Sequence, residues 1–161
     1  MLINNKAADE LFDYKKFAIA NLDMTMERYA RILLTPDLFV GTVEILTPKF
    51  LIYRGGIFFA EGFSETDFEK WFQKLDGEIN VIEKMINHVH VRGMIQFGQG
   101  HSIAIIRHVA EVLRKFWFIS LTDQFPNARF TIDIIDNIDE EDCTILIYQD
   151  NSRDDGNHRS R

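Results

Sequence analysis

Phe50-Leu51-Ile52-Tyr53-Arg54-Gly55-Gly56-Ile57-Phe58-Phe59-Ala60 is two apolar runs separated by adjacent glycines. Glycine tolerates the positive φ that a tight turn requires, so the spacing predicts a β-hairpin with strands at 50–53 and 57–60. Upstream, residues 39–46 are rich in β-branched side chains and read as a further strand. Before them, apolar residues at three- and four-residue steps predict helices over 7–22 and 26–34, the second ended by Pro36. Downstream, Ser64-Glu65-Thr66-Asp67 opens a helix in the manner of a capping box. Its stripe is Phe68, Trp71, Phe72 and Leu75, it ends at Asp76-Gly77, and a helical period resumes from Ile79 to Ile86.

From residue 88 the period changes to two. Val89, Val91, Ile95 and Phe97 alternate with His88, His90, Arg92, Met94 and Gln96, which predicts a half-buried strand. A long apolar helix then runs from Ser102 to about Gln124 and closes before Pro126. Residues 130–135 and 144–148 predict a terminal hairpin across the acidic link 136–142. The fold class expected is α+β: a single domain over residues 1–150, with an antiparallel or mixed sheet of about five to six strands and helices packed on it. Residues 151–161 contain no apolar side chain and read as a disordered tail.

Composition narrows the function classes. The chain has 161 residues, 46% of them hydrophobic, with 18 basic and 25 acidic side chains and a net charge of −7. Both halves share the deficit, so there is no positive surface to displace phosphate counterions or to meet an anionic lipid leaflet. Nucleic acid and membrane are not expected partners. The first residues lack the basic-then-apolar order of a signal peptide, and no apolar run approaches a membrane span. A cytoplasmic location is expected. Cys143 is the only cysteine and sits in an apolar segment, where a buried, inert thiol is the default.

Three groups of residues could carry function. In Gly98-Gln99-Gly100-His101-Ser102, a glycine-rich turn meets a helix start whose free N–H groups could hold an anion. The stretch lacks the lysine of a P-loop and the third glycine of a dinucleotide fingerprint, and its plainer reading is a tight connection with Ser102 as N-cap. His88, His90 and Arg92, two apart, would share one strand face near that turn. Two histidines so spaced could ligate zinc with His101 as a third ligand, but no further metal motif supports this and no metal or cofactor is expected. The third group is an interface: Phe116, Trp117 and Phe118 cannot all face one core from a single helix, and Asp139, Glu140 and Glu141 sit in the densest acidic run, suited to a basic partner. No catalytic residue is identified.

These features give two expectations. The first is a non-enzymatic acidic protein-interaction domain, of inhibitor, immunity or chaperone type, binding a protein partner or a second copy of itself. The alternative is a small-ligand or anion-binding domain, conceivably an enzyme, built on Gly98, Gly100, His101 and Ser102 with His88, His90 and Arg92.

Overall fold

The structure, a computed structural model, describes residues 11–21, 23–95, 97 and 102–150. The fold is α+β. In chain order the elements are α1 (Phe12–Ala20), α2 (Met26–Leu33), α3 (Pro36–Leu46), β1 (Phe50–Tyr53), β2 (Gly56–Phe59), α4 (Glu65–Lys74), α5 (Ile79–Ile86), β3 (Val89–His90), α6 (Val91–Met94), α7 (Ile103–Gln124), β4 (Phe130–Asn137) and β5 (Asp142–Gln149). The tail expected over 151–161 lies outside the described residues.

The β1–β2 hairpin forms as expected, Tyr53 pairing with Gly56. Its two-residue loop, Arg54 (φ 46°) and Gly55 (φ 85°), has positive φ at both positions, the twist that suits a tight hairpin. Both faces of β2 are covered. Ile57 joins a core of α7 and the C-terminal sheet, while Phe58 joins Phe68 and Ile82 beneath α4 and α5. Ser64 caps α4 by accepting the Asp67 N–H at 3.2 Å.

Three expectations are corrected. Residues 39–46 are not a strand but most of α3. Thr35 accepts the Leu38 N–H at 3.2 Å and Pro36 stands in the first turn, where its missing N–H costs nothing. The strand expected over 89–97 stops at His90 and the chain turns into α6. There the Asp142 carboxylate takes the Arg92 N–H at 3.0 Å, a bond that a ladder carbonyl would otherwise accept.

The third correction concerns the sheet. Instead of one sheet of five to six strands there are two, ordered β1-β2 and β3-β5-β4, both antiparallel. Side chains of α5 separate them. Fully buried Glu83 accepts the N–H of Ile57 on β2 (2.8 Å) and of Gln149 on β5 (2.8 Å), and the Gln149 side-chain amide (2.7 Å). One turn later, buried Asn87 donates to the carbonyls of Ile57 (2.8 Å) and Ile147 (3.2 Å) and accepts the Phe59 N–H (3.3 Å). Backbone groups that would form a β2–β5 ladder are thus satisfied by two side chains four residues apart on one helix face.

Burial pushes the Glu83 carboxyl pKa up, against the opposing pull of the three hydrogen bonds it accepts. The folded protein therefore holds this proton to higher pH than the unfolded chain does. The stabilisation is complete below the ordinary value of 4.5 and is lost as pH rises through the raised folded value. Glu83→Gln sets an NH₂ against one of three donors and is expected to cost about 1–3 kcal/mol. Denaturant unfolding should show its deficit relative to the natural chain widening from pH 7 toward pH 4.5; a deficit that narrows would contradict this assignment.

Candidate functional site

Asp142, the first residue of β5, is where two of the predicted site residues, His90 and Arg92, meet. Its buried carboxylate accepts the N–H groups of Arg92 (3.0 Å) and Cys143 (2.7 Å) through Oδ1. Its Oδ2 lies 3.2 Å from His90 Nδ1. Arg92, though on α6 rather than on a strand, reaches the same corner, its Nε donating to the Glu141 carbonyl at 2.6 Å. His88 is exposed, pairs its Nδ1 with the Met85 carbonyl at the end of α5 (2.6 Å) and meets the His90 ring edge-to-face at 5.7 Å. The structure thus joins His90 and Arg92 through Asp142, with His88 against the His90 ring, and not through a shared strand face. Ser102 takes the N-cap position of α7, its carbonyl accepting the Ile105 and Ile106 N–H groups. Gly98, Gly100 and His101 lie outside the described residues.

His90 opens on a cleft of about 690 Å³ at the β4–β5 turn, lined also by Thr144, Asn137, Asp136, Asp139 and Glu140. The turn is a short 3₁₀ segment, Ile138–Glu140, closed by Glu141 in the left-handed region at φ 49°. Asp139, Glu140 and Glu141 are exposed at its tip. Arg107 of α7 binds Asp136 at 2.7 Å, and that hydrogen bond holds the Asp136 carboxyl below its ordinary pKa. Among the described residues, no group of three or more His, Cys, Asp and Glu side chains is placed to hold a metal ion. No helix among them is long and apolar enough to cross a membrane.

The aromatic triplet on α7 divides as its spacing requires. Trp117 is fully buried and donates Nε1–H to the Ile45 carbonyl at 2.8 Å. Phe116 is half-buried, and Phe118 is 46% exposed beside Ile119 at 45%. What the sequence reading missed is α3. Residues 38–40, 43 and 45 of this helix (Leu, Phe, Val, Val and Ile) are all exposed, with Phe39 at 55%, and none of its eleven residues is buried. Thr35-Pro36-Asp37 was the available signal: an N-cap, a first-turn proline and a first-turn acid. With residues 39–46 read as a strand, the apolar side chains there were assigned to a sheet.

The chain matches no protein-family model, no curated protein and no solved structure.

Cys143 is buried, and desolvation together with its bond to Asp136 (Sγ to Oδ1, 3.4 Å) pushes the thiol up to about 11. Since the thiolate is the nucleophile, iodoacetamide at pH 7.5 should leave native Cys143 largely unmodified over an hour and label it within minutes in denaturant. Rapid labelling of the folded chain, read by intact mass, would remove the assignment of Cys143 as a structural thiol.

Proposed function

We propose that this chain is a non-enzymatic protein-interaction domain that docks another protein on α3 and the adjoining exposed turn of α7. The observation that carries the reading is α3 itself. A helix apolar on more than one side is normally buried, and eleven residues are too few for a helix stable alone in water. Yet Leu38, Phe39, Val40 and Val43 are all exposed on α3, and Ile32 and Leu33 are exposed on α2. Residue pairs within α3–α7 tie the helix down at its C-terminal end, through the Trp117–Ile45 bond and the Ser120 hydroxyl on the Pro48 carbonyl (2.9 Å). A face of this kind on a water-exposed surface is the usual mark of a protein interface. The acidic side chains of the β4–β5 tip, Asp139, Glu140 and Glu141, suit a partner with a basic rim, steering encounter and adding little affinity.

A second reading has one observation behind it, the orientation of His90 by buried Asp142 at the edge of a cleft. Histidine held this way is a competent proton acceptor or ligand donor. The carboxylates of Asp136, Asp139 and Glu140 line the same cleft and oppose an anion, so a ligand there would be neutral or cationic. The first reading explains more of the surface.

A photo-crosslinking amino acid placed at 39 or 118, in cells that make the protein, should yield an adduct with one identifiable second polypeptide. The same group at Gln73, exposed on α4, should not. With the group at 39, Val40→Lys with Phe118→Lys should abolish the adduct and move the thermal midpoint by only a few degrees, because both side chains are already exposed. Adducts only with a second copy of the chain would replace the heterologous partner with self-association, and adducts equally strong at 73 would end the proposal.

A further inference from the structure

A second concavity lies on the other side of the α3 tether and does not depend on the reading above. We infer that it is a binding site for a small amphipathic amine, a molecule with an aliphatic or aromatic body and one cationic head. The pocket, of about 790 Å³, lies between the end of α3, the turn after β2, the end of α5, β3 and α7. Its size and lining match those of small-molecule sites: mostly apolar walls with a few polar groups at the mouth. Half-buried Phe59, Ile86, Val89 and Met94 supply apolar surface for the body of a ligand, and fully buried Trp117 backs Phe59 edge-to-face at 5.1 Å.

The walls are held in place by hydrogen bonds, so little ordering is needed on binding. Trp117 Nε1 is tied to the Ile45 carbonyl, Pro48 receives both Ser120 Oγ (2.9 Å) and Gln124 Nε2 (3.0 Å), and the Phe59 N–H is held by Asn87. Among the described residues, the charged groups at the mouth are Glu44, Glu61 and Lys49. None of the three enters an ion pair among the described residues, whereas Glu27, Glu69, Asp67, Glu111 and Asp136 each do. Two unpaired carboxylates against one ammonium leave the mouth one negative charge in excess. A monocation balances that excess and an anion adds to it, which fixes the sign of the head group.

Trp117 reports on the site, and the only other tryptophan, Trp71 on α4, is silenced by Trp71→Phe. The full chain with that change would be titrated with octylamine, octanol and octanoate below their aggregation limits, following Trp117 emission. Octylamine should give a saturable change at a concentration at least tenfold below that needed for octanoate, with octanol between them. Glu44→Gln with Glu61→Gln should erase the tenfold preference while octanol still binds. Ala60→Phe, at the exposed mouth, should block all three with the thermal midpoint held. Non-saturating responses, octanoate binding as tightly as octylamine, or full binding by the Ala60→Phe chain would each overturn the assignment.

Discussion

The bonds of Glu83 and Asn87 to the facing edges of β2 and β5 are the constraint on which the rest of the fold depends. Strands of a common sheet normally satisfy each other. Here Glu83 of α5 and Asn87 at its C-cap stand between them and satisfy both, so one potential sheet becomes a hairpin and a three-stranded sheet joined through a helix. This arrangement lets Ile57 and Phe58 face different cores, α7 closing one and α4 with α5 the other. It also concentrates risk. A buried carboxylate is tolerated only while its donors stay in place, because losing one partner leaves the full desolvation cost behind.

The long helix α7 organises what remains. Ile106, Ala110, Leu113, Trp117 and Leu121 form a buried stripe at three- and four-residue steps against the C-terminal sheet. Residues adjacent to that stripe do different work. Ser120 and Gln124 hold the carbonyl of Pro48, Gln124 also takes the Phe50 N–H at 2.9 Å, and Phe118 and Ile119 face outward. The same indole that fills the core fixes the last turn of α3. The proposed docking face and the proposed amine pocket therefore share α3, the first on Leu38, Phe39, Val40 and Val43 and the second at Glu44 and Ile45.

Local signals in the sequence were legible where the chemistry is local. The hairpin turn at Arg54-Gly55, the Ser64 cap and Pro126 after α7 all act within a few residues, and the last hairpin forms with its strands extended into the acidic link, to Phe130–Asn137 and Asp142–Gln149. The class α+β followed from them. The failures have non-local causes. Glu83 lies in a helical stretch that reads as amphipathic, and nothing nearby tells that its partners are backbone groups 26 and 66 positions away. The strand expected beyond His90 was ended by Asp142, 50 positions from Arg92. With α3 the signal is present, since Pro36 both ends one helix and stands in the first turn of the next, and only the first role is evident from the apolar spacing upstream. At the candidate site, the proximity of His88, His90 and Arg92 was anticipated for the wrong reason, and the carboxylate that gathers two of them was placed in a solvated link.

β4 runs along the outer side of its sheet for eight residues, with no strand beyond it among the described residues. Such a margin is an open invitation to another chain's backbone, and Asp133 and Asp136 are what this one sets along it. The hydrogen bond from Arg107 holds the Asp136 carboxyl below its ordinary pKa. Those charges guard the margin, and without them the strand, with Ile135 exposed on it, would be open to backbone pairing with another copy.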